Sequence, residues 1–253
     1  MKKQNLLLVL LLGIFVIFQS CEKKSLIDID GGISNEKIVN SETEIIPDEI
    51  VYDFYYNNIL INENPVELRN NKDSKIKNII IVFEKFEKGQ NKRVSINSFD
   101  NDEDYINWGI KNNIPVAEML KKEKLIKEFI DNNNIEEIYE KTGKLPEIYI
   151  DFMAKLFGNN EKILAAPITI YKGLYSSEGA WLVQNSIPSL KHTTWNNQIS
   201  GYTEHAVYGA VTWYNNSWYR YKMATTWNWG WNRIRFNGAL SGLNDRTTSL
   251  INW

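Results

Sequence analysis

Asn196-Asn197-Gln198-Ile199-Ser200-Gly201 and Asn244-Asp245-Arg246-Thr247-Thr248-Ser249 follow one pattern. Two small amide or carboxylate residues come first, then two variable residues, a hydroxyl residue and a small residue. The recurrence predicts an internal two-fold repeat with one half-site per copy and closing turns that meet at one pole. Side-chain oxygens at this density suit a hard cation such as calcium, which takes six to eight oxygen ligands in flexible geometry. The same residue types also form Asx and Ser/Thr turns, in which the side chains hydrogen-bond the backbone and no ion is needed.

Around these two stretches, from Ala166 to Trp253, short β-branched and aromatic runs alternate with turn residues, which predicts an all-β sandwich of the Greek-key kind. Ile187-Pro188-Ser189-Leu190 followed by Trp195 and the first hexapeptide resembles the closing half of a βγ-crystallin motif. Ala210-Val211-Thr212-Trp213-Tyr214 is similar to the strand that opens a second motif, which Asn244–Ser249 closes. The resemblance covers roughly residues 167–253. It departs from the family at Tyr221 and Ala166, which stand where a glycine and an aromatic belong, and at Gly201, which replaces the final serine of the first hexapeptide. The glycine normally permits a positive φ in the hairpin, so Tyr221 implies an altered hairpin or a shifted alignment.

In calcium-binding members each site is shared between motifs. The resemblance therefore implies that Asn196, Asn197, Ser200, Asn244, Asp245 and Thr248 lie in the ligand loops. It further implies backbone carbonyl ligands from Gln198 and Arg246, with Ser249 as loop support. Asp245 is the only carboxylate in the two stretches, and Glu178 and Glu204 are candidates to add charge nearby. Low ligand charge implies weak calcium binding.

Trp227, Trp229 and Trp231 alternate with Asn228, Gly230 and Asn232. On a regular strand they share one face with Arg233 and Arg235, and an exposed stripe of this kind would bind sugar rings or a protein partner. If Gly230 breaks the strand, the same tryptophans pack the core, where small β domains need large apolar side chains.

Residues 50–160 read differently. Ile50–Tyr56, Ile79–Phe83 and Arg93–Phe99 have strand composition. Asp100 with Glu103 signals a helix start ahead of Tyr105, Ile106 and Trp108. Pro115 opens a longer helix on which Val116, Met119, Leu120, Ile126, Phe129 and Ile130 recur at helical spacing. Gly143 stops a short helix, and Pro146 opens another that carries Ile148, Phe152 and Leu156. This is a small α+β unit, and its Glu136, Glu137 and Glu140 read as a solvated helix face. The expected organisation is therefore an α+β middle domain at 50–160 followed by a βγ-crystallin-like β-sandwich at 166–253.

At the amino terminus, Lys2 and Lys3 precede an apolar run from Leu6 to Phe18, which is too short to span a bilayer comfortably. It ends at Phe18-Gln19-Ser20-Cys21, and Cys21 is the only cysteine in the chain. The pattern is that of a secretory signal and resembles the lipobox of Bacteroidota-type lipoproteins. That likeness implies residues 1–21 as signal peptide, Cys21 as the lipidated (palmitate-type) first residue of the mature chain, and an outer-membrane location. Residues 22–49 are polar and patternless, a tether with an r.m.s. span of about 25–30 Å.

The net charge of −2 covers an acidic middle and a mildly basic end. The few scattered basic residues of the tail exclude nucleic acid as an expected partner. His192 and His205 are the only histidines, in no zinc-ligand spacing, and no serine sits in a nucleophile elbow. The reading is a membrane-anchored, non-enzymatic binding or structural lipoprotein with a protein or glycan partner. Rival readings are a glycan-binding module that uses the tryptophans and a surface peptidase inhibitor.

Overall fold

A computed structural model describes residues 50–71, 73–85, 90–158, 167–172, 179–183, 185–205, 209–229, 231, 234–236, 240 and 242–253. The signal segment, Cys21 and the tether lie outside the described residues, as do Ala166, Glu178 and Gly230.

The middle segment contributes strands β1 (Ile50–Tyr56), β2 (Ile59–Ile61), β3 (Asn78–Phe83) and β4 (Lys92–Phe99). A short helix α1 (Pro65–Leu68) lies between β2 and β3, capped by Asn64, whose Oδ1 accepts from Val66 N at 3.0 Å. Asn57 and Asn58 turn the β1–β2 hairpin with both φ values positive, which asparagine tolerates better than most residues. Four helices follow: α2 (Asp102–Lys111), α3 (Val116–Asn132), α4 (Ile135–Thr142) and α5 (Glu147–Phe157). The expected strands appear within a residue of their expected bounds. The first helix is capped by Asn101, which accepts from Asp104 N at 2.8 Å, one position after the Asp100/Glu103 start read from sequence. Pro115 and Pro146 stand at the entries of α3 and α5, and Gly143 ends α4 with φ +67°. Val116, Met119, Ile126 and Ile130 are buried as their spacing requires, whereas Ile148 is exposed.

The tail supplies β5 (Ile168–Lys172), β6 (Ala180–Val183), β7 (Ile199–Glu204), β8 (Gly209–Asn216), β9 (Arg220–Asn228), β10 (Ile234–Arg235) and β11 (Ser249–Asn252). They form two halves that exchange a strand. In the first half β6, β5 and β7 pair in that order, and β10 from the second half completes the sheet against β7. In the second half β9, β8 and β11 pair in that order, and Ile187 of the first half bridges to Leu250 of β11. Neither half closes its sheet alone, which is the two-fold Greek-key arrangement expected from the repeat.

The expected domain boundary between 160 and 166 does not divide this sheet. β9 continues in parallel pairing onto β3, with Ile80 opposite Thr225 and Phe83 opposite Asn228. The result is a seven-stranded sheet in the order β11-β8-β9-β3-β4-β1-β2. Thus the segments 50–160 and 166–253 share one sheet, within a compact unit that spans Ile46–Trp253. The physical reason is in β3. All six of its residues are buried, because Ile79, Ile81 and Phe83 face the four-stranded sheet while Ile80 and Val82 face the helices. A strand covered on both faces needs a continuous apolar run, and each such side chain contributes roughly 1.5–3 kcal/mol on full burial.

The helices cover the outer face of the large sheet, and the β8–β9 turn is driven into them. Trp218 and Tyr219, with φ of +63° and +57°, are both fully buried. Tyr219 shares a 2.9 Å hydrogen bond with the Tyr149 hydroxyl of α5, and Tyr139 of α4 meets Trp218 edge-on. A buried ion cluster ties α3 to β9. Glu123 accepts from Lys127 at 2.7 Å and from Lys222 at 3.1 Å. The two ammonium groups lie over the rings of Tyr214 and Tyr105, respectively. Burial alone would raise the Glu123 carboxyl, but Lys222 and Lys127 together hold it below its usual range. Burial pulls Lys222 down, with Glu123 opposing.

Removing one member of a buried pair strands its partner. Glu123→Gln is expected to destabilise the chain by about 3 kcal/mol in denaturant unfolding at neutral pH, whereas Glu137→Gln, on an exposed helix pair, should leave the unfolding midpoint essentially unchanged.

Candidate functional site

Each hexapeptide feeds the last strand of its own half, the first into β7 and the second into β11. Their second residues, Asn197 and Asp245, both take the left-handed conformation, with φ of +54° and +51°. The two loops are then cross-linked reciprocally. Asn197 N donates to Thr247 O at 3.1 Å, and Asp245 N donates to Ile199 O at 3.0 Å. Ser200 Oγ, the hydroxyl of the first loop, donates to Asp245 Oδ1 of the second at 2.8 Å. Thr248 Oγ1, the hydroxyl of the second, lies 3.2 Å from Asn197 Oδ1 of the first and 2.8 Å from the Asn215 carbonyl. The closing turns therefore meet at one pole, and the side chain at position two of each copy faces the hydroxyl of the other.

The first residues of the two copies are also equivalent. Asn196 Oδ1 and Asn244 Oδ1 are both buried with no hydrogen-bond partner, although Asn244 Nδ2 donates to Asp245 Oδ2 at 3.1 Å. Leaving an amide oxygen dry and unbonded is costly, and the same cost recurs at symmetry-related positions. Gln198 is exposed and Arg246 half-buried. Ser249 points away from the loops: its Oγ donates to Asn216 O at 2.7 Å and accepts from Tyr219 N at 3.2 Å, so it holds the β8–β9 turn. Asp245 remains the only carboxylate of the pair of loops. Glu204 lies at the opposite end of β7 from Ser200 and cannot add charge here. Among the described residues no group of three or more His, Cys, Asp or Glu side chains could hold a metal, so an ion at this pole would rest on amide, hydroxyl and carbonyl oxygens.

Tyr221, where the resemblance calls for glycine, has φ +51°. The hairpin keeps the glycine conformation with a tyrosine in it, at a cost of roughly 1–2 kcal/mol. The ring is exposed, with the Arg69 guanidinium 5.9 Å from its centroid.

The tryptophans do not form an outward stripe. β9 ends at Asn228, whose Oδ1 accepts from Trp231 N at 2.7 Å and whose Nδ2 donates to Trp231 O at 2.9 Å. This side-chain-closed turn breaks the alternation. Trp227 and Trp229 meet edge-to-face, half-buried against the cluster beneath α2 and α3. Trp231 is buried in the other core, with Nε1 donating to Glu84 O at 2.7 Å. The sugar-binding stripe is thus replaced by packing on two different faces. The histidines are separate and exposed: His192 Nε2 lies 3.3 Å from Glu140 Oε2, and His205 Nε2 lies 2.8 Å from Thr169 Oγ1.

Sequence reasoning offered Glu204 only as extra charge for the loops and missed that its carboxylate is buried. Only 4% of the residue is exposed, and neither carboxylate oxygen makes a hydrogen bond of good geometry. Burial pushes its pKa up to about 7, and the nearby Asn228 amide offsets this only in part. Gly209 lies directly against it: a Cβ there would meet Glu204 Oε1, and the carboxylate would have to move. Nothing in the sequence marks this residue, since its burial comes from a sheet contact between distant strands.

No protein-family model matches the chain, and no curated protein matches it. Its neighbours among solved structures are βγ-crystallin domains. One is described under the evolution of the eye lens βγ-crystallin domain fold; it is 14% identical with a TM-score of 0.30, covering 38% of this chain and 93% of that one. A βγ-crystallin from Ciona intestinalis is 11% identical with a TM-score of 0.29, covering 34% of this chain and 99% of that one. A βγ-crystallin from an archaeon is 14% identical with a TM-score of 0.29, covering 35% and 99%.

Because Glu204 binds its proton more tightly in the folded chain than at its ordinary value of 4.5, the protonated carboxyl favours folding. That contribution is complete below about pH 4.5 and is lost as the pH rises through about 7. Glu204→Gln should therefore raise the melting temperature at pH 8 and leave it nearly unchanged at pH 4.5. An equal shift at both pH values would contradict a buried, titrating carboxyl.

Proposed function

We propose that this chain is a lipid-anchored, non-enzymatic outer-membrane protein whose Greek-key tail binds calcium weakly and uses the ion to lock its two halves together. The observation that carries the calcium reading is the reciprocal pairing of Ser200 with Asp245 and of Thr248 with Asn197, beside the two dry amide oxygens of Asn196 and Asn244. These are hard oxygen donors contributed by both halves, and an ion there would satisfy groups that otherwise have no partner. Asn196, Asn197, Ser200, Asn244, Asp245 and Thr248 would hold it, with backbone carbonyls of Gln198 and Arg246. When bound, the ion supplies positive charge that bridges loops from both copies. A single carboxylate limits the affinity, and Arg246 in the second loop lowers it further. The anchor reading rests on the apolar run ending at Ser20-Cys21. Two or more acyl chains on one cysteine give durable attachment, at about 0.8 kcal/mol per buried CH2. Together they describe a binding or structural module tethered at a membrane surface, with a protein partner.

An ion that binds only the folded state adds RT ln(1 + [L]/Kd), which is about 1.4 kcal/mol at about 10 mM calcium for a Kd of about 1 mM. Calcium titration of the full chain should raise the melting temperature accordingly, and Asp245→Asn, which keeps an acceptor for Ser200, should remove most of the shift. An unchanged melting temperature in the wild type would dispose of the ion. For the anchor, growth with labelled palmitate should label the wild-type chain in the membrane fraction, and Cys21→Ser should be unlabelled and released; label retained in the variant would overturn the assignment.

A further inference from the structure

The large sheet has seven strands and the small sheet four, so the inner face of the large sheet is not covered along its whole width. At the uncovered end, Tyr52, Phe54 and Tyr56 of β1 present alternate side chains to one face. Two adjoining hollows of ≈ 720 and ≈ 800 Å³ lie over them, and both share Glu63 and Leu68. The Tyr56 hydroxyl donates to Asp100 Oδ2 at 2.7 Å, and the three aromatic residues pack, partly buried, against the main core.

Two further observations define what fits. The first is charge. Among the described residues that line them, the walls carry Glu63, Glu67 and Asp73 against Lys75, and those around the hollow above Tyr52 and Phe54 include no cation. The second is backbone. β2 ends the sheet, and among the described residues no strand pairs with its outer side. Its Ile59 and Leu60 are 68% and 63% exposed, unusual for an edge that would otherwise be guarded by charge. A second copy paired edge to edge would bring like carboxylates together, so the groove's sign selects a different partner.

We propose that the outer edge of β2 and the aromatic groove beside it form a docking site for an extended basic peptide segment of a partner protein. The segment adds as a strand to β2, so that alternate side chains point into the groove. Its lysine or arginine side chains lie over the Tyr52 and Tyr56 rings and reach Glu63 and Glu67, combining cation–π and ionic contact. The site is separate from the calcium pole and stands or falls without it.

The test uses the full chain and a fluorescein-labelled peptide of alternating lysine and valine, read by fluorescence anisotropy. Alternating glutamate–valine and serine–valine peptides, the lysine peptide methylated on alternate backbone nitrogens, and a neutral oligosaccharide serve as comparisons. The lysine peptide should bind, weaken with salt, and weaken by about tenfold or more in Glu63→Lys/Glu67→Lys. These residues are exposed, so the variant's melting temperature should match wild type. Backbone methylation should weaken binding to a similar degree. Binding that survives charge reversal or methylation, equal binding of the glutamate peptide, preference for the oligosaccharide, or no binding up to about 1 mM peptide would each overturn the proposal.

Discussion

The parallel pairing of β3 with β9 is the contact on which the rest of the structure depends. β9 is the outer strand of the second Greek-key half, and in an isolated sandwich its free edge would face solvent. Here that edge is covered by β3, and β4, β1 and β2 continue the sheet. Edge strands invite unwanted pairing, so the middle segment protects the tail as the tail completes the middle segment. The helices then follow by necessity. A sheet apolar on both faces needs two covering layers, the four-stranded sheet on one side and α2 to α5 on the other.

This fusion accounts for three features that look unrelated in isolation. The β8–β9 turn carries two bulky residues at positive φ, a costly choice, yet both are buried among α3, α4 and α5. The strain is offset by aromatic packing that only the helical layer provides. The Glu123–Lys222 pair crosses the same helix–sheet boundary; its gain over apolar packing is small, but it fixes where α3 sits on β9. Trp227 and Trp229 turn toward the helices because β9 has helices over its outer face. In a free-standing sandwich that face would be wet.

The two poles of the small sheet differ in chemistry. At one, the hexapeptide loops exchange hydrogen bonds across the pseudo-two-fold, with neutral oxygens predominating. At the other, β7 ends in a dry carboxylate beside Gly209. The first arrangement gathers neutral oxygens from both halves; the second suits a group that stays protonated until near-neutral pH. Sequence placed Glu204 with the first, because spacing along a strand does not reveal which end a residue occupies relative to a distant loop.

Much was legible from the chain alone, and for local reasons. Apolar periodicity, prolines at helix entries and Gly143 at a helix end fix elements through short-range sterics and hydrogen bonding, so strands 50–56, 79–83 and 93–99 and the helices after them could be read directly. The repeat was legible because two copies of a turn impose the same residue types at the same backbone positions, Asn197 and Asp245 among them. What only the tertiary structure decided is how distant pieces combine. That β9 joins β3, that Trp231 enters the core while Trp227 faces the helices, and that Tyr221 holds a glycine conformation each depend on contacts between residues far apart in the chain. The different reading of 50–160 and 166–253 reflects local propensity, whereas a sheet is held by backbone hydrogen bonds that any two strands of matching exposure can share.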